Sequence, residues 1–401
     1  MKIGSVKDIE KWMYRVLLLF PIGTLLQSQI SVLNKGIFGI AFFMLLYLIV
    51  RNQKKMWEWV VYGVTIALHV FALLQTNAPL HNKNELFYFL FIVLLFTYIS
   101  GHRKGLYQYW KEDCVYVQGV ITVWTIVVGI SIFLPSSYQK IWGTGRYFTS
   151  FTGQAARFAS TALFIMALCF VMFVYERKKR YVFGAILPMA CFYMSGSRTY
   201  LGLGILAAIL FWYVLWEKKR RFYQTIIPFL AGLMLLMGGS AMKDKWESTL
   251  YEDGEKTENY ETYGVAGAVS NSRTVFWKAG WDKYCELDVP HKLFGGGYNL
   301  PYDAFYESMG VYTWMHNDFL QLLLIFGAAG LGVYIFVMGK LFHQMLPRKI
   351  PLILRGIVIL VWLLNACWNM FYTYSCAMIC YPFLLAALWK QFETVQQGRY
   401  F

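Results

Sequence analysis

The sequence predicts an all-α integral membrane protein with about twelve transmembrane helices, both termini cytoplasmic, and one long extracytoplasmic loop between helices nine and ten. Three observations carry this. Of 401 residues, 58% are hydrophobic and only 15% charged, with a mean hydropathy of +0.45; a soluble chain is about 45–50% apolar and about 25% charged. The apolar residues come in blocks parted by short charged clusters, which excludes a single soluble core. The clusters themselves (Arg51/Lys54/Lys55, Arg103/Lys104, Arg177 to Arg180, Lys218 to Arg221, Arg348/Lys349) fall in alternate loops, as expected where basic residues stay on the cytoplasmic side.

Taken in order, spans are expected at 13–30, 33–50, 57–74, 86–101, 114–134, 158–175, 181–195, 199–216, 223–239, 317–339, 351–368 and 372–389. With the N-terminus inside, most of the 37 Lys and Arg lie in inner segments, and no short outer loop is densely basic. The first apolar block reads as a retained helix rather than a cleaved leader. The chain is thus one membrane domain in three stretches: helices 1–9 over 1–239, the outer loop over 240–316, and helices 10–12 with a cytoplasmic tail over 317–401. The net charge of +15 is accounted for by this topology, and no nucleic acid partner is expected. Six of the seven cysteines (Cys114, Cys169, Cys191, Cys367, Cys376, Cys380) fall in or at apolar blocks, and only Cys285 lies in the long loop. They read as small core thiols, not as a disulfide framework or metal ligands.

The segment 240–316 differs from the other loops. It holds more than half of the 22 acidic residues, is net negative, and is rich in aromatics, among them Trp246, Tyr260, Trp277, Tyr302, Tyr306, Tyr312 and Trp314. A loop this long inside a compact fold is functional or disordered. Aromatic faces with acidic edges suit sugars; a lid resting on the membrane interface, where Trp and Tyr are common, fits the composition equally well.

Two places carry chemistry. Residues 181–217 must hold both spans seven and eight, whereas two full crossings need about 40 residues. The turn Ser195-Gly196-Ser197-Arg198 is therefore expected at or below the outer surface, with Arg198 in a recess. An arginine within a membrane is costly and marks a functional site by default, although it can also snorkel to the headgroups. The second place is His316, where the long loop enters span ten. Asn317 and Asp318 are N-cap types. Gly327-Ala328-Ala329-Gly330 permits close helix packing, so His316 is expected on a rigid element.

Together these residues resemble the O-antigen ligase and polysaccharide polymerase superfamily. His316-Asn317 followed by Gly327 and Gly330 resembles its histidine signature. Ser195-Gly196-Ser197-Arg198 resembles its Ser-x-Ser-Arg hairpin. Arg273 with Trp277, then Gly295-Gly296-Gly297, resembles the segment preceding the histidine motif, and Gly145-Arg146 through Arg157 resembles the loop before the sixth span. Gly202 departs from the leucine that the ligase pattern often places four residues after the hairpin arginine. The resemblance covers roughly residues 140–340.

It implies a glycosyltransferase of the cytoplasmic membrane, with its active site facing outside, that moves a glycan from a polyprenyl-diphosphate-linked oligosaccharide to a hydroxyl. Polymerisation, with a second lipid-linked repeat unit as acceptor and a capsular or exopolysaccharide as product, is the first expectation. A ligase using a lipid or protein acceptor is the alternative, and a polysaccharide flippase or transporter is a third reading. Arg198 and Arg273 are the first choices for diphosphate contacts, with Arg157 and Arg146 next, because guanidinium groups grip phosphate oxygens in pairs. His316 is the candidate general base, expected to titrate near the operating pH, with Asn317, Gly327 and Gly330 in support. Direct displacement would invert the anomeric carbon. No acidic pair is set near a phosphate site, so metal independence and no cofactor are expected. The partners are the lipid bilayer, the lipid-linked oligosaccharide and other polysaccharide-assembly proteins. Of the remaining histidines, His69 is expected to pack in a span, His102 and His343 to face the cytoplasm, His291 to be structural and His81 to be solvated.

Overall fold

The computed structural model describes residues 5–52, 55–76, 78–141, 145–215, 250–252, 255–257 and 273–396, with isolated positions at 261, 264 and 270. The expected ninth span, 223–239, and the first part of the outer loop lie outside the described residues. What is described is almost wholly helical: α1 (Val6–Leu18), α2 (Phe20–Leu25), α3 (Ser31–Arg51), α4 (Met56–Gln75), α5 (Glu85–Glu112), α6 (Cys114–Ile132), α7 (Ala155–Glu176), α8 (Arg180–Gly184), α9 (Ile186–Met194), α10 (Arg198–Leu215), α11 (Arg273–Glu286), α12 (Val289–Phe294), α13 (Leu300–Met309), α14 (Asp318–Met345), α15 (Leu352–Trp368) and α16 (Ser375–Gln396). Two small hairpins interrupt this pattern, β1 (Tyr138–Ile141) with β2 (Gly145–Phe148) and β3 (Tyr251–Glu252) with β4 (Glu255–Lys256).

Among the described residues eight helices are long and apolar enough to cross a membrane: α3 to α7, α10, α14 and α16. Two shorter apolar stretches, Arg180–Met194 and Leu352–Trp368, accompany them. The expected first span, 13–30, takes a different form. It is split between α1 and α2 at Leu19, where Pro21 falls in the first turn of the second helix and removes a backbone donor. Glu10, Lys11 and Arg15 give α1 a polar face, and Arg15 forks onto Asp113 with two bonds of 2.8 Å.

Helix α7 is apolar all round and buried along nearly its whole length, which is how a central helix reads. It packs on α16, α2, α10, α9 and α6. The outer helices expose large apolar side chains instead, among them Phe43, Val50, Leu74, Ile126 and Phe133. Apolar surface on this scale belongs against lipid rather than water.

The feature that places the site is a break in α14. Gly327 leaves the helix with φ 66° and ψ −166°. The segment 293–298 docks into that break. The Gly296 N–H donates to the Leu324 carbonyl at 2.9 Å. A Cβ at Gly295 would stand 2.1 Å from the Ile325 carbonyl oxygen, and one at Gly327 would stand 2.4 Å from the Leu293 carbonyl. The Tyr298 N–H donates to Thr76 Oγ1 at 3.0 Å, which ties the same segment to the end of α4. Irregular backbone is tolerated at membrane depth where protein buries it. The glycine run 295–297 is therefore a seam between α12 and α14, and Gly327 packs closely against the end of the short helix α12 rather than against a neighbouring span.

Candidate active site

The turn before α10 is buried, with Ser195 fully covered and Ser197 nearly so. Ser195 Oγ donates to the Phe192 carbonyl at 2.9 Å and accepts from the Ser197 N–H at 3.3 Å. Gly196 takes the left-handed conformation that closes the turn. Gly204 holds the hairpin tight, since a Cβ there would meet the Phe192 ring. Arg198 thus begins α10 at the bottom of a short, closed hairpin and is itself partly buried. At Gly202 nothing lies within 4 Å of the position a Cβ would take, so the departure from the leucine pattern leaves no packing defect.

Arg273 begins α11, and its guanidinium lies close enough to Arg198 for the two charges to act on each other. Burial, with the Arg198 charge adding, pushes Arg273 down to about 10, so it remains a cation at neutral pH. Among the described residues no carboxylate pairs with Arg273 or Arg157. Tyr374, at the entrance to α16, stands in the field of both Arg157 and Arg273. Arg157, in the first turn of α7, lines a polar cavity of about 40 Å³ together with Thr24, Asn34, Tyr88, Trp314 and Tyr374. That volume admits a few water molecules or a comparably small polar group.

His316 sits in the left-handed region at φ 52°, which a non-glycine residue adopts at a cost of about 1–3 kcal/mol. Two clamps over-determine it. Asn317 caps α14, its side chain accepting from Phe319 N–H at 3.0 Å and Leu320 N–H at 3.2 Å. Gln321 accepts from the Met315 N–H at 3.2 Å. The imidazole packs near the Phe276 ring, and its Nδ1 is buried with no hydrogen-bond partner among the described residues. Burial and the Arg273 charge push its pKa down to about 4. The sequence predicts a value near the operating pH; burial of the imidazole, with a cationic neighbour from another helix adding to it, is what moves it down.

Arg198, Arg273 and His316 thus come together from three elements, with Arg157 joined to them through Tyr374. Arg146 is placed apart. It is exposed on β2, while the next residue, Tyr147, is buried and lies near Arg198. Gly330 makes room for the Phe326 side chain, which a Cβ there would meet at 2.2 Å. Asp318, read from sequence only as a capping type, is fully buried and accepts from Tyr334 at 2.7 Å, whose hydroxyl in turn accepts from Trp362 at 3.0 Å.

Glu85 was not singled out by sequence. It is buried at the start of α5 and accepts from the hydroxyls of Tyr302 (2.8 Å) and Tyr372 and from Gln321 Nε2 at 3.5 Å. Through Gln321 it supports the backbone just before His316. A lone carboxylate at the head of an apolar block was the signal available. His69 packs in α4 between the Phe89 and Phe326 rings as expected, and His291 bonds to its cap Asp288 and to Gln75. His81 is not merely solvated: its Nε2 bonds Asp303 at 3.1 Å.

These features define a multi-pass membrane protein with a recessed basic site beside a strained histidine. Residues 183–335 match the family model described as O-Antigen ligase, which bears out the superfamily resemblance carried by the hairpin and histidine motifs. The match contains Arg198, Arg273, His316, Gly327 and Gly330, whereas Arg146 and Arg157 precede it. No curated protein matches the chain. Among the described residues no three His, Cys, Asp or Glu side chains gather as a metal site.

Proposed function

We propose that this protein is a polysaccharide polymerase of the cytoplasmic membrane, joining lipid-linked repeat units on the outer face. The observation that carries the reading is the convergence of Arg198, Arg273 and His316 within the matched segment 183–335. Two neighbouring guanidinium groups form a site for a dianionic diphosphate, gripping its oxygens and neutralising the charge that develops as it leaves. Arg157 extends this basic surface toward the polar cavity, and Arg146 stands further out.

In the reaction, an acceptor hydroxyl oxygen attacks the anomeric carbon of the donor glycan. The bond from that carbon to the phosphate oxygen breaks, and polyprenyl diphosphate departs with the electron pair. His316 is neutral over the physiological range and takes the hydroxyl proton. A single displacement inverts the anomeric carbon. Diphosphate bound between the arginines would offset the Arg273 charge and raise the basicity of His316 as the complex forms. The reaction needs no metal, because the arginines supply the positive charge. A recessed site limits competing hydrolysis.

The ligase reading uses the same donor site with a lipid or protein acceptor, and the description of the matched family favours keeping it. The test is transfer by purified protein given a polyprenyl-diphosphate-linked repeat unit. A ladder of products supports polymerisation, and a single adduct that requires an added acceptor supports ligation. Arg198→Lys and Arg273→Lys should each lose most activity although charge is kept, because paired contacts to phosphate are lost; full activity in both would overturn the diphosphate assignment.

A further inference from the structure

We propose that the outer surface carries a carbohydrate-binding platform, built from Tyr306, Tyr312 and His81, that holds a neutral sugar of the glycan beside the catalytic loop; its role in chain growth rests on the transfer reading above. Tyr312 lies between the other two rings. Its centroid is 4.2 Å from His81 with the planes 24° apart, and 4.3 Å from Tyr306 with the planes 9° apart. Both tyrosines are open to the outside, Tyr306 at 46% and Tyr312 at 51% exposure.

Membrane anchoring does not account for this patch. The side of α13 that carries Tyr306 also carries Asp303 and Glu307, at helical spacing. Asp303 bonds His81, and Glu307 pairs with Lys283 at 2.8 Å. Charged groups on either side of the rings place them against water rather than lipid tails.

The platform is also built rather than incidental. Two segments more than 200 residues apart are bolted together beneath it. Asn299 Oδ1 accepts from the His81 N–H at 3.1 Å, and Asn299 Nδ2 donates to the Pro79 carbonyl at 3.1 Å. Asn82 Nδ2 donates to the Tyr302 hydroxyl at 3.1 Å, and that hydroxyl donates to Glu85. The rings are held in place before anything binds, which removes the ordering cost that exposed side chains otherwise impose on association.

The chemistry of the patch fits one class of ligand. The C–H groups of a pyranose pack against the exposed aromatic surface that the stack presents, on Tyr306 and along the open edge of Tyr312, and carboxylates accept from its hydroxyls. Asp303 and Glu307 accept such bonds and repel a polyanion, which selects a neutral sugar. Position connects the patch to the reaction. Tyr312 precedes His316 in the same connecting segment, and Tyr302, on the inner side of α13, joins the Glu85 network that supports the histidine loop. A glycan seated on the rings would keep the growing chain at the mouth of the site between transfers.

The test uses the full chain in lipid nanodiscs. The probe is the lipid-free oligosaccharide released by mild acid from the polyprenyl-linked donor of the expressing cells. Binding is read by saturation-transfer NMR and calorimetry, in wild type and in His316→Ala. Both should bind equally, and the double variant Tyr306→Ala/Tyr312→Ala should bind about tenfold more weakly, because the aromatic contact surface is lost. Tyr306→Phe/Tyr312→Phe, which keeps the rings, should bind as wild type and guards against a folding defect. Trp281→Ala, an exposed outer aromatic outside the platform, should also leave binding unchanged. Equal affinity in the double alanine variant, or no binding by wild type at millimolar probe, overturns the platform. The transfer reading fails separately: wild type that binds through the rings yet joins no units leaves the platform standing and removes the polymerase.

Discussion

Replacing Gly327 with alanine tests whether the break in α14 is a designed joint. The native φ of 66° with ψ −166° lies in a region essentially confined to glycine, and an alanine held there costs about 1–3 kcal/mol. The new Cβ would stand 2.4 Å from the Leu293 carbonyl and 2.5 Å from Phe294 N. These are backbone atoms, so the end of α12 must retreat. That retreat also breaks the 2.9 Å bond from Gly296 N–H to the Leu324 carbonyl, a further ~1 kcal/mol. The total is about 2–4 kcal/mol of destabilisation, with loss of transfer because the segment leading to His316 shifts. Gly332→Ala, in the same helix, is the control. Nothing lies within 4 Å of its Cβ position, so alanine there should be neutral or stabilising by up to about 1 kcal/mol. Thermal unfolding of both variants in one detergent, followed by size-exclusion recovery, compares them directly. Equal midpoints would refute the joint, as would a Gly327→Ala protein with full activity.

Three further outcomes follow from the same geometry. His316 is neutral above about pH 4, so as pH falls through that value the imidazole gains a proton and cannot accept another. The acid limb of kcat/KM, which reports the free enzyme, should therefore lie below about pH 5; a limb near 6.5 would contradict the burial and Arg273 effects. Glu85→Ala leaves the donors of Tyr302, Tyr372 and Gln321 without their acceptor, a cost on the order of 2–4 kcal/mol. Glu85→Gln keeps one acceptor oxygen and should lose about 1 kcal/mol, so chemical denaturation in mixed micelles should rank alanine well below glutamine. Transfer should survive excess EDTA, and its abolition by chelation with recovery on added divalent cation would remove the arginines from their proposed role.

The spans were legible where apolar runs are long and unbroken. The expected stretches 33–50, 57–74, 114–134 and 158–175 correspond to α3, α4, α6 and α7 within a few residues. The reading differed where local chemistry competes with hydropathy. Pro21 and the charges of α1 divide the first block, and α5 continues beyond the expected 101 to Glu112, through a non-helical His102. At the site, Arg198 and His316 were legible because each combines a costly residue type with a short turn. Tyr374, Tyr147 and Glu85 were not. Tyr374 and Tyr147 carry no local signature, Glu85 only that of a lone carboxylate heading an apolar block, and each reaches the site from a segment remote in sequence. Gly327 was legible as a small residue in a helix, but a positive φ leaves no trace in spacing. It is the neighbouring strand of backbone at 293–295 that reveals the need for glycine.

The most direct test of the central claim is the transfer assay on His316→Ala. Wild-type protein, purified in detergent and given the polyprenyl-diphosphate-linked repeat unit, should yield a ladder of lengthening products. The variant should yield none while its folding and membrane abundance are unchanged. A ladder undiminished in His316→Ala would contradict the account at its core.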